Sequence, residues 1–472
     1  MLSVTPQNNL GDAAVMGKFV RSLAFCAVLS IFFIFHFYPQ EGTALPRDGQ
    51  TGHQQQQAGK NFKPEVNTMN KLTLAFAKAA AKHQDDKTDN LVLSPYNAAT
   101  ALSMLSKAAG GQTKEELAQT LFGTDAASMD AEIGKLVDLN TEILAANKDR
   151  VTLKTANGIW TNDEILTLNP DYAKELKQLF GAEVNGERFS DPTVPAKINQ
   201  WASDNTNGLI DNIVDKLTRD DYAILASALY FKGDWTKKFD KELTEDRKFV
   251  TDDGNAVATP TMHQEFSAKG DITYQDGGDY EAVAMTYGER DFKEGKEPSM
   301  RLVLLRPKDE NVAARDWLSA QADGNVPAWT DPSLFERVVG SVELPHMDIK
   351  QKHDLIPVLQ EMGIREVFDE ERADLRRMIT EQGEQLAVNK VTHDVVFKTD
   401  ETGSEAAAVT TIGVIRATSI QLPPKRIDIK LDRSFVFALQ DIKTGTVLFA
   451  GAVNKPNADM KANSKKPQPP KL

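Results

Sequence analysis

Residues 222–231 read Tyr-Ala-Ile-Leu-Ala-Ser-Ala-Leu-Tyr-Phe, an almost unbroken apolar run. A half-buried strand alternates apolar and polar residues, whereas a strand without alternation needs apolar cover on both faces. The chain must therefore hold a central strand between two layers. Further strand-like runs lie at 301–305, 338–344, 391–397, 427–431, 435–440 and 447–453. Asp441-Ile-Lys-Thr-Gly445 separates the last two, as a hairpin turn would. Helical spacing comes earlier: 69–82 has Leu72, Leu74, Phe76, Ala79 and Ala80, and 96–109 has Ala98, Leu102 and Leu105 after Ser94-Pro95. Segments 114–121 and 131–147 extend this helical half. Helices early and hairpins late predict an α+β fold. No linker, repeat or low-complexity run interrupts 67–456, so this stretch is read as one domain despite its length.

Several function classes are disfavoured. Lys+Arg total 55 against Asp+Glu 68, a net charge of −13, which repels phosphate and argues against nucleic-acid or anionic-membrane partners. The single Cys26 rules out an intramolecular disulfide framework, a Cys-based zinc site and an Fe–S cluster. The seven His form neither HExxH nor an i,i+4 pair, so no metal is expected. GxxxxGK[ST] and GxSxG are both absent. No cofactor and no enzymatic activity are expected.

At the N-terminus, Lys18 and Arg21 precede an apolar run at 22–38, and Gly42 and Ala44 follow. This order predicts a signal peptide over 1–44, cleaved after Ala44, and hence a secreted, extracellular protein. An uncleaved signal anchor is the competing reading, although a run of about 17 residues is short for a membrane span. Met16 is an alternative start. Segments 45–66, with Gln54–57, and 457–472, rich in Lys and Pro, lack apolar surface to bury and are expected to be disordered.

Segment 401–424 is unusual for a connection between strands. It is long, and Ser404, Ala406, Ala408 and Thr410, which would share one face of a strand, are all small. β-Branched residues over 410–415 favour extension. The segment reads either as a flexible surface linker or as a strand that enters a sheet later.

In this context a family resemblance emerges over nearly all of 69–456. Asn90-Leu-Val-Leu-Ser-Pro95 with 99–111, Asn157-Gly-Ile-Trp160, Ile198-Asn-Gln-Trp201 through Ile210, Tyr230-Phe-Lys-Gly-Asp-Trp235, Leu344-Pro345, 394–403, Phe435-Val-Phe437 and Leu448-Phe-Ala-Gly451 resemble serpin motifs, in serpin order. The resemblance implies three β-sheets, about nine helices and a metastable fold. It also implies an exposed reactive-centre loop, here 401–422, outside the largest sheet. A target protease would cleave the loop and form an acyl-enzyme, and loop insertion would trap that intermediate. The expected monomeric inhibitor would act on an extracellular serine protease, with Glu401, Gly403, Ser404, Glu405, Ala406, Ala407 and Ala408 as its hinge. Counting from Glu401 leaves the scissile bond open. Arg416–Ala417 would suit a trypsin-like protease and Ala417–Thr418 an elastase-like one, while positions 418–420 are a further possibility. Ser94, Asn97, Ser227 and His393 match a buried network that controls sheet opening, with Ser and Asn exchanged relative to the family pattern. Trp235, His346 and Glu401 are expected to meet at the loop top, His346 standing where a Lys is usual. Acidic residues around Lys135 and Lys148 argue against strong heparin binding through 131–147. The alternative function is a non-inhibitory serpin that binds, carries or stores.

Overall fold

The computed structural model describes residues 62–267, 271–291, 294–381, 386–404 and 425–457. The expected signal peptide and nearly all of the two tails lie outside these residues. Eight α-helices occur among them: α1 Pro64–His83, α2 Pro95–Ser106, α3 Gly111–Phe122, α4 Met129–Asn147, α5 Pro170–Phe180, α6 Val194–Asn205, α7 Ala314–Ala320 and α8 Ile356–Met362. Their limits follow local chemistry. Pro occupies the first turn of α1, α2, α5 and α6, where its missing N–H costs nothing. Gly123, Gly181 and Gly363 end α3, α5 and α8 with positive φ, a conformation that suits glycine.

Three sheets form, as expected. The largest joins β1 (Leu91–Leu93), β5 (Glu245–Val250), β6 (Ala256–Phe266), β7 (Ile272–Asp276), β8 (Tyr280–Tyr287), β9 (Met300–Pro307), β10 (Glu336–Pro345), β14 (Arg426–Lys430), β15 (Phe435–Asp441) and β16 (Val447–Val453). Its order is β1-β16-β15-β9-β8-β7-β10-β6-β5, with β14 beside β10. The second has the order β13-β4-β2-β3, from β2 (Thr152–Asn162), β3 (Glu183–Glu187), β4 (Ala223–Asp234) and β13 (Gly403–Ser404). The third pairs β11 (Met347–Asp354) with β12 (Thr392–Thr399).

β4 contains nearly all of the apolar run 222–231, and its two faces explain it. Leu225, Leu229 and Phe231 join the main core, while Ile224 and Ala226 join a separate core with Ile198 and Ala202 of α6. Apolar cover on both faces removes the need for alternation.

Ordered contacts also flank residues 67–456 at both ends. Val66 is fully buried at the start of α1, and Lys63 Nζ reaches Glu142 Oε2 at 2.7 Å, so the folded region includes residues assigned to the disordered 45–66. At the other end Asn457 Nδ2 donates to Thr259 Oγ1 at 3.1 Å. The loop is also not wholly outside a sheet. Gly403 and Ser404 stand clear of the ten-stranded sheet but pair with β4 in the second one.

Asn70 ties α1 to the last hairpin. Its Nδ2 donates to Gly445 O at 3.0 Å, and its Oδ1 accepts from Val447 N at 3.0 Å. Asn70→Ala leaves a buried N–H without a partner and is expected to cost about 2 kcal/mol. Urea unfolding checks this; an unchanged midpoint would show that the bonds contribute nothing net.

Candidate functional site

β4 and β12 run in the same direction. Among the described residues they meet in one bridge, Leu225 with Val391, near the start of each strand. At their far ends β13 lies against β4 instead, antiparallel, with Gly403 opposite Asp234 and Ser404 opposite Gly233. The turn from β12 into β13 is closed by Asp400 N donating to Gly403 O at 2.8 Å. That turn sets Thr399 across from Ser404. The same sequence offset separates Thr399 from Gly233 and Val391 from Leu225. The seam therefore keeps one register along its length, joined at one end and already occupied by two residues at the other.

The occupied end is closely built. Asp400 Oδ1 accepts from Thr402 N at 2.8 Å and Gly403 N at 3.2 Å. Trp235 donates its ring N–H to Asp400 O at 2.9 Å and its backbone N–H to Thr402 O at 2.8 Å. Its ring stacks on Tyr287 with centroids 4.2 Å apart, and the Tyr287 hydroxyl meets Ser404 Oγ at 3.0 Å. Glycine is needed at position 403, where a Cβ would lie 2.0 Å from the backbone oxygen of Gly233; one on Gly233 would lie 2.8 Å from the end of the Phe231 ring.

Glu401 is buried, and its Oε1 accepts from Thr244 Oγ1 at 2.6 Å and lies 2.9 Å from His346 Nε2. Burial pushes its carboxyl up, but hydrogen bonds from Thr244, its own backbone and His346 outweigh this and hold it below the usual range. Thr244 was not singled out from the sequence, where no motif marks it.

The residues expected to form one sheet-opening network make two sets of direct contacts. Ser227 Oγ lies 2.7 Å from Asn97 Oδ1 and 2.6 Å from Asn157 Oδ1. Asn157 thus supplies a second amide from β2 that sequence reasoning missed. Separately, Ser94 N donates to His393 Nε2 at 2.9 Å, while Ser94 Oγ donates to Leu448 O at 2.8 Å. A ring nitrogen that accepts an N–H must be unprotonated, so this contact requires neutral His393. His353 stands opposite in the β11–β12 register, with ring centroids 6.4 Å apart. Burial, then the neighbouring His353, lowers the His393 pKa to about 3. Burial also lowers that of His353, against the hydrogen bond to Val92 O.

The expected hinge residues Glu405, Ala406, Ala407 and Ala408 and the reactive-bond candidates Arg416, Ala417 and Thr418 lie outside the described residues. On α4, Lys135 is paired with Glu132 at 2.7 Å. Among the described residues no group of His, Cys, Asp and Glu is placed to hold a metal ion.

A family model described as "Serpin (serine protease inhibitor)" matches residues 67–456. Human neuroserpin is 29% identical over 375 residues, covering 78% of this chain and 86% of its own length. Among solved structures, the thermophilic serpin tengpin in its native state aligns with a TM-score of 0.70 at 22% identity, over 83% of this chain and 94% of that one. Human thyroxine-binding globulin complexed with its hormone aligns with a TM-score of 0.69 at 23% identity, over 84% and 100%. These two structural likenesses bear on the fold alone.

The neutral His393 site has a definite pH signature. Its pKa is below the ordinary 6.5, so the stability it contributes is complete above pH 6.5 and is lost as pH falls toward 3. The loss approaches about 1.4 kcal/mol per pH unit. His393→Gln keeps an acceptor for Ser94 N without a titrating group, and should show a flatter fall in urea-unfolding free energy from pH 7 to 4. Identical slopes in the two proteins would remove His393 as the source.

Proposed function

The chain belongs to the serpin family, and from that premise we propose that it is a secreted, monomeric suicide inhibitor of an extracellular serine protease of trypsin-like specificity. The protease serine attacks the carbonyl carbon of Arg416. An ester to the enzyme forms, the peptide bond to Ala417 breaks, and the departing amine takes up a proton. Hydrolysis of that ester would release a cleaved substrate. Insertion of the freed loop must therefore outrun deacylation.

The observation that carries this reading is the shared register of the seam. β13 has begun an antiparallel strand where β4 and β12, parallel to each other, leave room for one. Continuing that register after cleavage would set Ser404, Ala406, Ala408 and Thr410 opposite Gly233, Phe231, Leu229 and Ser227. These are the small loop residues, directed at a face that is already filled. Glu405 would turn outward between Lys232 and Lys398, and Thr410 would enter between Ser227 and His393. Ile412 would part the bridge between Leu225 and Val391. From Ser404 to Arg416 the extended chain spans roughly 40 Å, enough to carry the bound protease from one end of the seam past the other. The Ala-rich hinge favours this reading over a carrier or storage role. Strong heparin acceleration through α4 is not expected, because the acidic residues of that helix weaken its positive field.

Incubation with trypsin and with elastase, followed by denaturing electrophoresis and mass spectrometry of the released peptide, tests the assignment. A covalent band of summed mass with trypsin and a peptide beginning at Ala417 is the expected result. A band with elastase alone and a peptide beginning at Thr418 would move the bond to Ala417–Thr418. Cleavage without a covalent band or a gain in heat stability would support the carrier reading. Ser404→Arg places a charge on a side chain that is 2% exposed. It should divert most encounters to simple cleavage, lowering complex yield by about tenfold, the ratio given by about 1.4 kcal/mol. Undiminished yield would count against insertion along this register.

A further inference from the structure

β8 ends at Tyr287 and β9 begins at Met300, so the connection 288–299 is far longer than a hairpin turn needs. Its described part is fastened to its surroundings. Gly288 N donates to Asp234 O at 2.9 Å, and Thr236 Oγ1 donates to Gly288 O at 2.8 Å. Arg290 pairs with Asp271 at 3.3 Å, and Arg150 donates to Glu297 O. Ile442 N donates to Ser299 O at 2.9 Å. Held this way, the connection lines one side of a groove of about 1260 Å³. The last turn of α4, residues 148–151, the start of β2 and the end of β4 line the rest. A second cavity of about 550 Å³ adjoins it, since Ala145, Lys148, Asp149 and Arg150 line both.

The lining divides into an apolar part and a cationic part. Leu144, Val151 and Leu153 are half-buried in the groove, and Ala146 and Ile442 are half-buried in the second cavity. Lys154 of β2 and Lys232 of β4 share one face of their sheet, because Thr152 stands opposite Lys232 and Lys154 opposite Tyr230. Lys148 approaches from the end of α4. Among the described residues none of these three lysines has an acidic partner. Lys154 lies over the Tyr230 ring, 6.0 Å from its centroid. Neighbouring cations are already matched: Lys238 pairs with Asp234 at 2.8 Å and Lys443 with Glu142 at 3.2 Å. Glu289 is likewise matched by Lys296 at 3.2 Å. Asp149 alone is left among the described residues to offset three ammonium groups, in a chain whose net charge is −13.

We propose that this groove binds an amphipathic anion, a single-chain carboxylate of the fatty-acid class. Lys154, Lys232 and Lys148 hold its head group, and its tail lies along Leu144, Val151 and Leu153 toward Ile442. The unmatched lysines select a negative charge, and the half-buried apolar side chains select a hydrocarbon. A sulfated or phosphorylated polymer gains nothing from the apolar part and meets Asp149, Asp234 and Glu289 beside the lysines. An anionic membrane is too flat for a concave site and is repelled by the net charge. The room is ample, since small-molecule pockets usually span about 300–1,000 Å³. Gly233 and Asp234, which line the groove, also pair with Ser404 and Gly403, so a ligand here touches the strand end that supports β13. Binding is a property of the free protein and stands apart from the inhibitory reading.

Isothermal titration of the full chain with sodium oleate, kept below its micelle concentration, tests the site. One oleate should bind per chain, with a Kd on the order of micromolar, and the melting temperature should rise with oleate concentration. Oleyl alcohol keeps the tail without the charge and should bind about tenfold more weakly. Replacing both Lys154→Gln and Lys232→Gln should weaken oleate by about tenfold while leaving the ligand-free melting temperature nearly unchanged. Ala145→Trp fills the space shared by the two cavities without altering charge and should abolish binding, which keeps the test decisive if the double variant fails to fold. Absence of saturable binding, equal affinity for oleyl alcohol, or parental oleate affinity in both variants would overturn the proposal. A heparin-derived oligosaccharide that bound more tightly than oleate, and lost its affinity in the lysine variant, would assign the groove to a polyanion and overturn it too.

Discussion

Everything around the seam depends on β4 being covered on both faces. Its Leu225, Leu229 and Phe231 belong to the main core and its Ile224 and Ala226 to the core beneath α6. A strand held from above and below cannot tilt or slide to accommodate a neighbour, because close-packed interiors resist small displacements. Change is confined to the lateral direction, where β4 faces β12 across one bridge among the described residues. Rigid faces and a weak edge together direct any rearrangement into one slot.

Much of the fold was legible because its signals are local or periodic. The absence of alternation in 222–231 identified the doubly covered strand, and Ser94-Pro95 marked the start of α2. What escaped notice depends on distant chain segments. Asn157 completes the Ser227 cluster only because β2 and β4 pair in the register that sets these two residues opposite each other. His353 meets His393 only through the pairing of β11 with β12, and Tyr287 reaches Ser404 from the ten-stranded sheet. A linear pattern holds no trace of such meetings. Polar residues dominate 45–66, so Val66, buried at the start of α1, carries no periodic signal of its own.

The two sides of β12 have opposite electrostatic characters. Toward the core, His393 is neutral and satisfied by a backbone N–H. Toward α6, Asp394 is half-buried and lines a small cavity beside Trp201 and Ala202. As pH falls the Asp394 carboxylate loses its charge first, near 6, and His393 loses its accepting lone pair only toward 3. A strand with this arrangement has its most comfortable charge state at neither pH extreme, and neighbouring positions of one element titrate against each other.

The Gly403–Asp234 and Ser404–Gly233 pairs change the kinetic character of strand addition. Adding a strand from solution begins with an unfavourable nucleus, in which chain freedom is lost before contacts compensate for it. Here two residue pairs of the nucleus, Gly403 with Asp234 and Ser404 with Gly233, exist before any bond is cut. What remains is propagation from a fixed end, residue by residue, as in the growth of a helix beyond its first turn. Under the proposed mechanism the uncut connection is the tether that halts growth, and one hydrolytic event removes it. On that reading the molecule resembles a crystal seeded in a supersaturated solution, kept from growing by one covalent thread.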